Sequence, residues 1–296
     1  MKILVLGDFQ GVFPEKLRKK LKKEELFDLI VGVGDYGGVD DWRPWIKEDF
    51  NRTKKGLPRI NPEEFFGKRK FKKLVKKDIA STKNVFRKIL NLNKKFIFVF
   101  GNGDDYWYNH PEWWKNESLV EQKKFIRKLG IFKDITYGKT SFRGIDFIGF
   151  GGYMDIEAFF NTKDLKYQTR KAVRERITRH SKMKRRFFKL LGKAYKNRKS
   201  RKILVLHYPP KGVFDIIKGG WEGNPMKGES SGIRFYTEAI KRYKPNLVLC
   251  GHMHEYQGMK KLFGVPVINS GDAQKGRYAI VEIDNKTGEV KARFIK

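Results

Sequence analysis

The sequence is poor in residues that staple or anchor a chain. It has one cysteine, Cys250, so no disulfide can form within it; a thiol in an apolar strand fits a buried, inert role in a reducing compartment. No apolar run reaches the ~18–20 residues of a membrane span, and the apolar stretch within residues 1–8 is too short for a signal peptide, so the expected location is cytoplasmic. Acidic side chains are scarce: 33 Asp and Glu face 66 Lys and Arg, a formal net charge of +33. A heat-adapted composition raises Glu together with Lys and does not account for this imbalance; attraction to polyanions does. No internal repeat is visible. Histidine is rare, with five in all.

What is present is a core-forming chain. Its 296 residues, 40% hydrophobic, suffice for one large domain or two ordinary ones. Short apolar runs read as buried strands at 2–7, 28–33, 96–100, 131–137, 145–150, 203–206, 246–250, 265–269, 278–283 and 290–295. Between them, helical spacing is expected over 14–26, 79–92, 117–129 and 233–243. Two strongly basic stretches, about 39–78 and 155–202, read as insertions into a single domain spanning 1–296. The second suggests one or two basic amphipathic helices, with Arg174, Arg179, Lys184, Arg185 and Arg186 as candidate contacts for nucleic acid, an anionic membrane or an acidic partner. The aromatic cluster Tyr106, Trp107, Tyr108, Trp113 and Trp114 reads first as loop packing and second as a base-stacking surface. The glycine-rich stretch 211–231 reads as a loop over a site.

The rare histidines are concentrated. Gly251-His252-Met253-His254 follows an apolar strand, and an extended tip turns His252 and His254 to the same side. Other strand ends carry matching donors: Asp8 and Gln10, Asp35, Asn102 and His207. Strand C-termini of an α/β sheet converge on one edge, where ligand sites form. A mixed set of imidazole, carboxylate and amide suits Mn, Fe, Zn or Ni better than Ca, with manganese the leading candidate. Seven donors exceed one tetrahedral ion and suit two ions that share a bridge; such a pair activates water for in-line attack on phosphorus.

The order Asp8-Phe9-Gln10, Gly34-Asp35, Gly101-Asn102-Gly103, His207, Gly251-His252-Met253-His254 resembles the calcineurin-like metallophosphoesterase superfamily, as does the tail from Asn269 through Ala279. The resemblance implies an α/β fold: a four-layer α/β/β/α sandwich of two mixed sheets flanked by helices. It implies that Asp35 bridges two ions, with Asp8, His254 and Gln10 on the first and Asn102, His207 and His252 on the second, and that a bridging hydroxide is the nucleophile. Two positions depart from the family pattern. Gln10 stands where a metal-binding histidine is usual, which weakens the first site. Gly103 stands where many members carry a histidine that assists the leaving group; loss of a general acid costs about 10²–10⁴-fold. Asp104 and His110 are the candidates to replace it, and Asn102, His252 and Asp104 form the candidate catalytic set. Two functions are compatible with this pattern: a divalent-metal-dependent phosphoesterase, foremost a phosphodiesterase acting on a nucleotide or nucleic acid, and a protein of the same fold with little or no turnover that binds nucleic acid or an acidic partner. Oligomeric state is not encoded in any of these features.

Overall fold

The strand predicted at 2–7 is β1 (Lys2–Leu6), and it joins β2 (Leu29–Gly32), β3 (Phe96–Phe98) and β4 (Phe132–Asp134) in parallel. The structure is a computed structural model that describes the chain except residues 25–26, 39, 56, 59, 93, 105–118, 160–169, 198, 220–223, 225 and 285. β11 (Tyr278–Ile283) pairs antiparallel with β1, and β12 (Val290–Ile295) antiparallel with β11, which gives the order β12-β11-β1-β2-β3-β4. A second six-stranded sheet has the order β5-β6-β7-β8-β10-β9. Its β6 (Ile145–Phe150), β7 (Arg201–Leu206), β8 (Leu247–Cys250) and β10 (Val265–Asn269) are parallel. Its edges, β5 (Lys139–Phe142) and β9 (Gly258–Leu262), are antiparallel. Both edge strands escaped the sequence reading, because their alternation is polar and half-exposed rather than apolar.

The parallel strands read as continuous apolar runs because both of their faces are buried. Alternate side chains separate into layers: Ile3, Val5, Val31, Val205 and Leu249 lie in the core between the sheets. Leu4, Leu6, Ile30 and Phe98 face outward, onto α1 (Glu15–Lys23) and α4 (Lys68–Leu90). On the other side Phe150, Leu206 and Val248 meet α6 (Arg170–Ala194) and α7 (Arg234–Tyr243). This is the four-layer sandwich that the resemblance implied. Tyr36, Phe96, Phe98 and Phe132 surround the ring of Phe86 on α4, so Phe86→Ala is expected to cost about 3–5 kcal/mol.

The first basic stretch differs from the expectation, and the second forms the long basic amphipathic helix expected of it. A helix was predicted from residue 79, yet α4 begins at Lys68. Phe71, Leu74, Val75 and Asp78 form a buried stripe at helical spacing, which the dense lysines between them obscured. Ahead of it, α2 (Arg43–Lys54) and α3 (Pro62–Phe66) place Trp42 against Trp45, Phe66 and Phe71. The second stretch supplies α6, whose Phe187, Leu191 and Ala194 are part of the outer core on the second sheet. Both stretches contribute buried side chains to the helical layers. A short α5 (Leu119–Lys128) precedes β4. The aromatic cluster at 106–114 and His110 lie outside the described residues.

Candidate metal centre

The loops after β1, β2, β3, β7 and β8 meet at one edge of the sandwich. The chain turns there through unusual backbone: Asp8 (φ 57°), Gln10 (φ 47°), Asp35 (φ 55°) and His252 (φ 66°) all occupy the left-handed region. Such residues cost on the order of 1–3 kcal/mol each and persist where the surroundings over-determine them. The surroundings are tight here. A Cβ on Gly101 would lie 2.2 Å from Asp35 Oδ1, so only glycine lets the β3 loop approach that carboxylate.

Two clusters of donors result. Asp35, His207 and His252 offer ligand atoms within 4.8 Å of one another, as do Asp8, Asp35 and His254, and Asp35 belongs to both. In the first of these, Asn102 Oδ1 lies 2.8 Å from both His207 Nε2 and His252 Nδ1, and those two nitrogens are 3.2 Å apart. Three donors about 3 Å apart match the edges of a tetrahedron with bonds of about 2 Å, and their chemistry is that of a first-row divalent ion. His207 Nδ1 is 2.8 Å from Val33 O, which accepts its proton and leaves Nε2 bare toward the site. Burial, then His207 and His254, hold the His252 pKa well below the usual imidazole value, so His252 is neutral and ready to ligate. In the other cluster His254 Nε2 lies 3.4 Å from Asp8 Oδ1, and both Asp8 oxygens accept from the His252 N–H at 3.0 and 3.1 Å. Burial alone would lower His254; Asp8, with Asp272 and Asp35 behind it, instead raises it to about 9.

The seven sequence-predicted donors are thus brought to one edge, but two candidates behave differently from expectation. Gln10 Nε2 donates to Asp35 Oδ2 at 3.0 Å, so it faces the site through its N–H groups rather than its oxygen. Asp104, named as a catalytic candidate, is a staple. Its two carboxylate oxygens accept four backbone N–H bonds, from Asp35 (2.8 Å), Tyr36 (2.9 Å), Gly37 (3.0 Å) and Gly101 (2.8 Å). Burial, then the Asp35 charge, push its pKa well above the carboxylate range, but its oxygens are occupied with two strand-end loops and do not reach toward a leaving group. Gly103 itself points at the centre: its N–H donates to Asp35 Oδ1 at 2.8 Å, and a Cβ there would sit 3.1 Å from the same oxygen.

Sequence reasoning missed two supporting residues. Ser231 Oγ lies 2.7 Å from His252 Nε2, the ring nitrogen that faces away from the donors. Its signal was weak, one serine in the glycine-rich 211–231 stretch. Asn269 is buried and donates to Gly251 O and Met253 O while accepting from Gly271 N–H, which clamps the tripeptide that carries both histidines. Of the candidate polyanion contacts, Arg179 instead pairs with the buried Asp155 at 2.7 Å, Lys184 pairs with Glu238 at 2.7 Å, and Arg186 stacks 3.7 Å over Tyr137. Arg174 and Arg185 remain exposed.

Comparison with known proteins agrees with this geometry. One crystal structure superposes at TM-score 0.63 with 18% identity, covering 99% of this chain and 98% of the other. The protein TT1561 of Thermus thermophilus superposes at 0.55 with 16% identity (99% and 97% covered). A dimetal phosphatase from Danio rerio superposes at 0.53 with 10% identity (99% and 96%). At these identities the likeness is one of fold. Among curated proteins no sequence matches. The sequence model described as "Metallophosphoesterase, calcineurin superfamily" matches residues 1–293, nearly the full chain. With the strand-end donors and the sandwich in hand, this places the chain in the calcineurin superfamily of metallophosphoesterases.

Proposed function

We infer that the protein is a divalent-metal-dependent phosphodiesterase. The observation that carries this is the pair of donor clusters joined at Asp35. Asp8, Asp35 and His254, with Gln10 nearby, would hold one ion; Asp35, Asn102, His207 and His252 would hold the other. When bound, such ions polarise a phosphoryl group and lower the pKa of water. The chain's own residues supply the rest. Val33 and Ser231 fix the two imidazole orientations, Asp104 locks the Asp35 and Asn102 loops together, and His252 stays neutral. Hydrolysis makes one P–O bond from water and breaks the ester P–O bond, and the departing alkoxide needs a proton. Gly103 offers no side chain to deliver it, so that proton comes from solvent and the rate should fall steeply as the leaving group becomes more basic.

The test is nitrophenol release from a bis-nitrophenyl and a mono-nitrophenyl phosphate, with Mn²⁺ and with chelator. Metal-dependent release that is faster on the diester is the expected result. A folded protein inert with Mn, Fe, Zn and Ni would defeat the reading. A second reading, a binding protein with little turnover, is favoured by the Gln10 N–H groups and by Gly103. It requires fewer than two ions per chain on elemental analysis after metal titration.

A further inference from the structure

Part of the excess positive charge sits where two helices run past the edge that carries the metal donors. On α4, Asp78 Oδ1 accepts the Gly38 N–H and Ser81 lies against Gly11, both in site loops, whereas Phe86 lies on the sheet. The half preceding Asp78 therefore projects beyond the edge, by about 15 Å for ten residues at 1.5 Å each. That half, Lys68 to Lys77, holds seven cations and no acid. Lys77 pairs with Asp41 and Lys70 lies over the Phe66 ring. Lys68, Arg69, Lys72, Lys73 and Lys76 are exposed, with no ion-pair partner among the described residues.

α6 repeats the arrangement on the other sheet. Arg176 and Arg179 grip Asp155, whose carboxylate is 1% exposed, in the loop after β6. That loop is tied to the metal edge, since Gly152 N–H donates to Phe100 O just ahead of Asn102. The helix then descends over the sheet through Phe187, Leu191 and Ala194. Its first two turns, with Arg170, Lys171 and Arg174 exposed, thus stand past the same edge. The 25 residues of α6 hold eleven cations and one acid.

Rows of like charge four residues apart, such as Lys68, Lys72 and Lys76, each cost a helix about 0.2–0.5 kcal/mol per pair and gain nothing inside the described chain. We propose that the overshooting halves of α4 and α6 are two basic walls that grip the backbone of a nucleic-acid strand and lead it across the metal edge. A polynucleotide is then the substrate class. The grip stands on the two helices; the substrate assignment rests on the phosphodiesterase reading above. An anionic membrane fits less well. A surface-lying helix presents its apolar face outward, whereas Phe71, Leu74 and Val75 of α4 are buried.

The test uses the full chain, in chelator, with a fluorescein-labelled single-stranded oligonucleotide read by anisotropy between about 50 and 200 mM salt. Chelator keeps binding separate from turnover, so an inactive metal centre does not affect the outcome. A variant carrying Lys68→Gln, Lys72→Gln, Lys76→Gln and Arg174→Gln should bind at least about tenfold more weakly, with a salt slope reduced by roughly 3. A charge-matched control, Lys22→Gln, Lys23→Gln, Lys199→Gln and Lys286→Gln, removes the same charge at the opposite edge of the sheets and should change affinity less than about twofold. Circular-dichroism spectra and thermal melts should superpose for all three proteins, which reports folding without relying on the metal centre. If the first variant misfolds, Arg170→Gln, Lys171→Gln and Arg174→Gln on α6 alone carry the same expectation on a smaller scale. Equal losses in both charge variants, no binding at the lowest salt, or binding to phosphatidylserine vesicles but not to the oligonucleotide would each overturn the proposal.

Discussion

The two halves of the donor set share Asp35 and differ in almost everything else. The half made by Asn102, His207 and His252 is closely held, with ring orientations set by Val33 O and Ser231 Oγ and with His252 neutral. The half made by Asp8, Gln10 and His254 is more highly charged. His254 keeps a third of its side chain exposed, pairs with Asp8, and has an amide for a neighbour where the family pattern expects an imidazole. The comparison teaches that one pocket is organised for an ion in advance and the other must first lose a proton.

Replacing the shared ligand should erase the difference. Asp35→Asn is expected to remove both ions on elemental analysis and to lower kcat/KM by about 10³-fold or more, about 4 kcal/mol of transition-state stabilisation. One ion retained at full affinity would show that the two halves do not share it. Ser231→Ala should weaken only the organised half, by about 10–100-fold in metal affinity, with Ser231→Thr restoring it. Isothermal titration that shows both sites weakened equally would make Ser231 a packing residue instead. Gly103→His places an imidazole beside Asp35 and should raise turnover of a poor-leaving-group diester by about tenfold or more, with little change for nitrophenyl esters.

The pH response should separate the halves without any mutation. His254 sits at about 9, so at neutral pH it is protonated and must release that proton when it ligates. Affinity of the His254 half should climb about tenfold per pH unit and level off near pH 9, whereas the organised half, with His252 already neutral, should not follow it. Calorimetry in buffers of different ionisation enthalpy reads the proton count directly. The sign for stability is opposite. A histidine pKa raised on folding stabilises the metal-free protein fully below about 6.5, and that contribution is lost as pH rises through about 9. The smallest effect expected is from Gln10→His, a gain of about tenfold in affinity at the His254 half alone.

Legibility followed the physics of each feature. Apolar strands buried on both faces, such as Leu4 to Leu6, announce themselves because every position must be hydrophobic. The donors were legible because each stands just past such a strand. The start of α4 was not, because three apolar side chains set the helix while seven cations dominate the text. Asp104 was misread for a different reason: an acid beside a ligand looks the same in sequence whether it faces solvent, substrate or four backbone amides. Ser231 was invisible because its partner is 21 residues away and its loop carries no periodic signal.

By itself, the sequence determined that this chain folds around buried parallel strands, that side chains of a kind able to hold a metal stand at their ends, and that the chain is strongly cationic. Those properties are local: each is set by residue type and by spacing of two, three or four positions. Only the tertiary structure decided that Gln10 turns its N–H groups to Asp35, that Asp104 holds loops together rather than moving a proton, and that Ser231 lies behind His252. These depend on direction and distance between segments far apart in the chain, which strand pairing and core packing establish and composition does not contain.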